Sequence, residues 1–257
     1  NCSRNMSTGL RNMTKEINEL LRQTDHFEKE VPFSDETVER LAKWFTEYEL
    51  RCCCVPFTKD FNKTCESIEK VLDLVPEAKF SLLYHDPLGE SSVAFIETIY
   101  VHNIVDAGVS EIFEEIELVA PVKLIKRWDV EKLGECVWRM GMGLDPFHYL
   151  KVIIQTPMLN GVEMKMATEI CVKNDVEYVK TGTGYFGITL PKHVSWMRDA
   201  VDNANKMYKN DGDFQTRLKV AGGIMSYDVA CLSFDLGADI IGMSRTSQII
   251  EEIKRRV

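Results

Sequence analysis

The residues that could do chemistry begin with a lysine where a strand should end. In "VEYVKTGTGYFG", Val176–Gly187, Lys180 closes an apolar run that reads as a buried strand. Burying an ammonium costs roughly several kcal/mol unless it is paired or neutralised. A second lysine, Lys219, sits in the same way in "RLKVAGGI", and a loop of small residues follows each. If neighbouring strands carry them, both point into one cavity. A positive neighbour and a dry site each disfavour the ammonium. The product is a neutral amine able to attack a carbonyl and form a Schiff base. One strand lysine alone would more simply snorkel or pair with a carboxylate; two at adjacent strand ends favour the chemical reading.

The elements that must position these lysines follow from alternation. Short β-branched runs recur roughly every 30 residues, separated by amphipathic helical stretches. "LLRQTDH" leads to a helix opened by Ser34, an N-cap with an acidic first turn. "LRCCCVP" precedes helical 59–73, "KFSLLYHDP" 91–107, "IELVAPV" 129–141 and "YLKVIIQT" 160–173. "VEYVKTG" precedes 190–209, "LKVAGG" 226–236 and "DIIGMS" 246–255. Eight buried runs alternating with helices predict an α/β fold: a parallel (β/α)8 barrel, with a doubly wound open sheet as the alternative. Residues 1–257 form a single domain on this reading, with 1–18 as an N-terminal helix or arm. Lys180 ends strand six, at the barrel face where such folds hold their chemistry.

Composition narrows the class. The net charge of −9 argues against a general nucleic-acid binder but leaves room for a local anion pocket. The 8 cysteines include three in a row, Cys52, Cys53 and Cys54, and show no zinc-ribbon spacing. They read as reduced core thiols of a cytosolic protein. No apolar run approaches the ~18 residues of a membrane span. Trp44, Trp128, Trp138 and Trp196 fall in helical segments and are expected between helices and barrel.

Several segments together resemble the class I deoxyribose-phosphate aldolases. "VKTGTG" is similar to that family's "(I/V)KTSTG", whose lysine forms the Schiff base, and matches it at Lys180. "LKVAGGI" resembles its "KxxGGI" at Lys219. "QTDHF" resembles "IDHT" and brings in Asp25; "CCCVP" resembles "VCVNP"; "DPLG" resembles "FPLG". "LKVIIQT" resembles "LKVIIET" with Lys151, and "DIIGMSRTS" resembles "RIGTSSG". The likeness runs in order over about residues 20–250. The family's strand-four aspartate in "DEIDxV" has no Asp counterpart in "GVSEIFEEIELVAPV". One register puts Phe113 there. The other puts Glu117 there, and is preferred because "IKRWDVEKL" then matches "LKSGDYEYV". Further departures are Gln155 for Glu, Val55 for Asn and Met225 where many members have Arg.

The resemblance implies a metal-free and cofactor-free lyase that cleaves 2-deoxyribose 5-phosphate to glyceraldehyde 3-phosphate and acetaldehyde. It implies Lys180 as the imine former and Lys219 as a charged neighbour, with Glu117, Asp25 and Thr183 relaying protons. Lys151, Gly184, Gly222, Gly223, Gly242, Ser244 and Arg245 would bind substrate. The phosphate would sit at the loops after strands seven and eight, and Arg245 would replace the charge lost at Met225. Its partner is a small phosphorylated sugar, with neither nucleic acid nor membrane, and a homodimer is left open. Two other readings stand beside it: a weakened aldolase-like barrel serving as a binding or scaffold protein, and a class I aldolase for another phosphorylated sugar.

Overall fold

The computed structural model describes residues 13–84, 86–95, 112–142, 144, 148–210 and 212–256. Eight strands are present: β1 (Thr24–Phe27), β2 (Cys52–Pro56), β3 (Phe80–Leu83), β4 (Glu115–Val119), β5 (Tyr149–Ile153), β6 (Tyr178–Lys180), β7 (Arg217–Ala221) and β8 (Ile240–Met243). Each pairs in parallel with the next, and β8 pairs with β1, so the sheet is closed. This is the (β/α)8 barrel that the alternation predicts, and closure removes the open-sheet alternative.

The helices fall close to their expected places. Residues 13–21 are helical and form α1. Then come α2 (Asp35–Glu47), α3 (Phe61–Leu74), α4 (Val122–Lys126), α5 (Val130–Met142), α6 (Gly161–Lys173), α7 (Pro191–Tyr208), α8 (Tyr227–Asp235) and α9 (Thr246–Arg256). Of the helix expected over 91–107, residues 92–95 are helical and 96–107 lie outside the described residues. The short α4 was not expected. Local chemistry starts α2 and α6: Ser34 Oγ accepts from Thr37 N, and Asn160 and Glu163 cap α6 reciprocally.

Between strands and helices lies an apolar shell that includes Leu41, Ile68, Ile125, Met164, Met197 and Ile253. Trp44 belongs to it, but Trp128, Trp138 and Trp196 are 49%, 53% and 42% exposed. The expectation that all four tryptophans are core is therefore corrected. Each of the three finds only part of its ring against the helix layer and leaves the rest in water.

Candidate active site

Strand register decides which side chains meet inside the barrel. Lys180 of β6 stands directly opposite Lys219 of β7, and Glu117 of β4 opposite Lys151 of β5. Alternate residues of a strand share a face, so Glu115 and Glu117 point inward together. At the seam, Asp25 of β1 lies opposite Gly242 of β8. That glycine is a matter of space. A Cβ there would stand 3.0 Å from Lys219 Cε and 3.0 Å from Ala221 Cβ.

These strands build one buried ionic network. Glu117 accepts from Lys180 Nζ at 2.5 Å through Oε2, and from Lys219 Nζ at 2.5 Å through Oε1. Lys151 Nζ lies 3.5 Å from Glu117 Oε1, and Ser81 Oγ donates to the same oxygen at 3.2 Å. Asp25 Oδ2 accepts from Lys151 at 2.6 Å and also from Lys219. Lys151 pairs with Glu115 as well. Arg51 completes the set, donating from Nε to Asp25 Oδ1 at 2.5 Å and from both terminal nitrogens to Glu115 at 2.8 and 2.7 Å. With every group ionised, the network holds four cations, Arg51, Lys151, Lys180 and Lys219, against three anions, Asp25, Glu115 and Glu117.

The electrostatics follow from that crowding. Burial works to raise the Glu117 carboxyl, yet Lys180, Lys219 and Lys151 together hold it well below the carboxylate range. Burial likewise opposes ionisation of Asp25, and Arg51, Lys151 and Lys219 overcome it. Burial would lower Lys151 and Lys219; Asp25 with Glu115 raises the first, and Asp25 with Glu117 raises the second. Both are therefore held as ammonium ions. Lys180 differs in its surroundings: it bonds one carboxylate and lines the open cavity.

The cavity encloses about 670 Å³ at the C-terminal ends of the strands. Asp25, Lys180, Thr183, Gly184, Lys219, Gly222, Gly223, Gly242 and Ser244 all line it. Gly184, Gly222 and Gly223 have φ of +83°, +89° and +97°, and a Cβ on Gly223 would come within 2.8 Å of Ile188. The loops after β6 and β7 thus meet backbone to backbone, which only glycine permits there. Ile188 and Met225 share the lining and bring apolar surface to it.

No family model matches the chain. Among curated proteins, the deoxyribose-phosphate aldolase of Picosynechococcus sp. is 32% identical over 213 residues, which cover 80% of this chain and 86% of the relative. The chain belongs to the deoxyribose-phosphate aldolase family. The match to the Aquifex aeolicus enzyme of that name is 33% over 108 residues, 41% of this chain and 44% of the relative, so the chain spans less than half of that protein. Among solved structures, the deoxyribose phosphate aldolase of Aeropyrum pernix, described as tetrameric, shares the fold. Its TM-score is 0.70 at 19% identity, over 96% of this chain and 99% of that one.

Not every expected site residue lands where the sequence placed it. Lys151, expected to bind substrate, has no exposed surface and lies among Asp25, Glu115 and Glu117, behind the cavity wall. Its ammonium pairs with these carboxylates. Arg245, expected near the phosphate, is exposed and does not line the cavity. Thr183 lines it, but its hydroxyl bonds to Gln155 and to neither active-site lysine. Phe113 precedes β4 and stacks on Phe61, with ring centroids 5.9 Å apart, so the inward strand-four side chain beside the lysines is Glu117. His26 is packed edge-on to Trp44 and bonds Thr246 and Glu28. His85 lies outside the described residues. Cys54, not Cys53, reaches the cavity, and burial with Glu117 nearby pushes its thiol up to about 12. Asp25, Cys52 and Glu115 form the one metal-sized donor cluster among the described residues, but Arg51 and Lys151 already occupy its oxygens. Arg51 had no sequence signal, because a basic residue at the start of a strand reads as a surface position.

Proposed function

We propose that the chain is a class I aldolase that cleaves 2-deoxy-D-ribose 5-phosphate reversibly to D-glyceraldehyde 3-phosphate and acetaldehyde, with Lys180 as the imine-forming amine. The observation that carries this is the uneven partnering of the three buried lysines. Lys151 has three carboxylates within ion-pair distance and Lys219 has two; Lys180 has one, and it faces the cavity. Releasing its proton brings the network to three cations and three anions. The lysine with the fewest carboxylate partners thus lines the cavity a substrate would enter.

The chemistry then runs on residues in contact. The Lys180 amine attacks the C1 aldehyde. Glu117, bonded to that nitrogen, passes two protons to the former aldehyde oxygen, the one the ammonium gives up before attack and the one the nitrogen sheds after it, and the oxygen leaves as water. The iminium takes up the C2–C3 bonding electrons as the C3 hydroxyl loses its proton and glyceraldehyde 3-phosphate departs. The resulting enamine is protonated on carbon, and water frees acetaldehyde and Lys180. Lys219, fixed by Asp25 and Glu117, keeps a positive charge beside the reacting nitrogen. The phosphate belongs at Gly222, Gly223 and Ser244, where backbone approach is closest and α9 begins.

Incubation with acetaldehyde and borohydride tests the assignment. An ethyl group on Lys180, together with turnover of deoxyribose 5-phosphate, is the expected result. An adduct on Lys219 would reverse the roles of the two lysines. An adduct without turnover would leave Schiff-base chemistry and remove this substrate.

A further inference from the structure

The phosphate of the substrate carries close to two negative charges at neutral pH. The groups placed beside it so far are the backbone at Gly222 and Gly223, the Ser244 hydroxyl and the start of α9, whose aligned peptides amount to about half a positive charge. Met225, where many members of the family have Arg, lines the cavity without a charge, and Arg245 does not line it. Lys180 and Lys219 do, but both ammonium groups bond Glu117, and Lys219 bonds Asp25 as well. None of these residues gives the anion a side-chain cation of its own.

The end of β1 supplies one. Alternate residues of a strand share a face, and Asp25, Phe27 and Lys29 all line the cavity. The residues between them turn to the helix layer. His26 packs on Trp44 of α2, and Glu28 Oε2 accepts from Arg40 of the same helix at 2.6 Å and lies 3.3 Å from His26 Nε2. Strand pairing runs on past Phe27, because Glu28 N donates to Cys54 O at 3.0 Å, and Glu28 Oε1 then accepts from Glu30 N at 3.1 Å. The Glu28 carboxylate is thereby committed away from the cavity, and the residue after it is left facing inward. Lys29 is exposed, and no carboxylate among the described residues pairs with it. Because β1 is bonded to β8, with His26 opposite Met243, Lys29 leaves the barrel beside the loop of Ser244 and the start of α9.

We infer that Lys29, delivered by the loop after β1, is a specificity-determining residue of this chain: its ammonium is the side-chain cation that selects a phosphorylated over an unphosphorylated sugar. A lysine suits the place. Its flexible stem lets a point charge follow the phosphate at the open mouth of the cavity, where the fixed fork of an arginine at position 225 is missing. The inference rests on the aldolase reading for the identity of the substrate, and on the placement of Lys29 in the cavity wall for the charge.

A charge series at Lys29 tests it, read by kcat and KM for deoxyribose 5-phosphate and for unphosphorylated deoxyribose at low and moderate salt. Lys29→Gln should raise KM for the phosphate ester about tenfold, Lys29→Glu should raise it further, and Lys29→Arg should stay within about threefold of wild type. For the ester kcat should move less than about threefold, because the charge meets substrate and transition state alike. For deoxyribose kcat/KM should also move less than about threefold, because that sugar carries no charge at the same place. The wild-type KM for the ester should rise with salt, and that of Lys29→Gln should rise much less. An unchanged KM in Lys29→Gln, equal damage to both sugars, or equal salt dependence in the two proteins would overturn the inference. A wild type that does not cleave the ester would remove the aldolase reading, and the series is then read on the rise in melting temperature given by inorganic phosphate. A smaller rise in Lys29→Gln than in wild type would uphold Lys29 as the anion-binding cation; an equal rise, or none in wild type, would overturn it.

Discussion

Replacing Glu117 with Gln removes one negative charge from the centre of the network and almost nothing from its volume. The carboxylate it replaces bonds Lys180 and Lys219 at 2.5 Å each and has no exposed surface. Breaking a buried pair by removing one partner costs about 3–5 kcal/mol. Lys219 keeps Asp25 as a second partner, which puts the expected loss at the low end of that range, near ~3 kcal/mol at pH 7. The pH dependence follows from the depressed carboxyl. Its contribution is whole above the unfolded value of 4.5 and is lost as the pH falls below it, towards the folded value. The gap between wild type and Glu117→Gln should therefore close by about 1.4 kcal/mol for each pH unit below that point. Urea unfolding of both proteins at about pH 7 and about pH 3.5 measures it: ~3 kcal/mol at the first and roughly half at the second. A gap under about 1 kcal/mol at neutral pH, or one that widens with acid, would refute the view that Glu117 is the ionised centre of this site. In the same variant, turnover should fall by ~10²-fold or more while Lys180 still forms some trapped adduct.

Lys219→Leu removes a positive neighbour and leaves Glu117 to Lys180 and Lys151, so the pH at which trapping becomes efficient should rise; an unchanged pH profile would exclude an electrostatic role. Gly242→Ala places a methyl 3.0 Å from Lys219 Cε and should cost about 1–3 kcal/mol in unfolding free energy as Lys219 is pushed aside. An alanine variant as stable and as active as wild type would show that β8 has room to give. Ser244→Asp should raise KM for deoxyribose 5-phosphate and affect unphosphorylated deoxyribose much less, because a carboxylate repels only the phosphate; equal damage to both substrates would move the phosphate elsewhere.

The barrel was legible because its signals are local. Each strand is a short apolar run, the long helices carry their own periodicity, and Lys180 and Lys219 stand out as charges within apolar runs. Glu117 was legible through register, since counting back from "IKRWDVEKL" places it correctly on the inward face of β4. The tier beneath it was not. Arg51, just before β2, and Glu115, opening β4, are 64 positions apart, and they meet only because closure turns β2 and β4 towards one axis. Lys151 was seen as a site residue but misplaced in depth, because sequence shows the strand and not how far below the cavity floor a side chain ends. Gln155 was noted as a departure from the family, but its left-handed backbone, which aims the amide between two loops, depends on tertiary contacts. The exposed tryptophans failed for a related reason: Trp128 lies in the turn between α4 and α5, and for Trp138 and Trp196 a large ring on the edge of a helix face can remain half in water.

The two tiers explain where the charge imbalance comes to rest. Below, Arg51 and Lys151 face Asp25 and Glu115, two cations against two anions, all within 2.8 Å of a partner. Above, Lys219 and Lys180 share the single carboxylate of Glu117. The surplus cation therefore belongs to the upper tier. Lys219 has Asp25 as a second partner, so the least compensated ammonium is Lys180. Arg51 sharpens this arrangement, because guanidinium stays protonated and saturates Asp25 Oδ1 and both oxygens of Glu115. Were Arg51 absent, Lys151 would face those carboxylates alone and the imbalance would be relieved at the bottom of the barrel. With it present, the surplus charge sits in the upper tier, where Lys180 and Lys219 line the cavity.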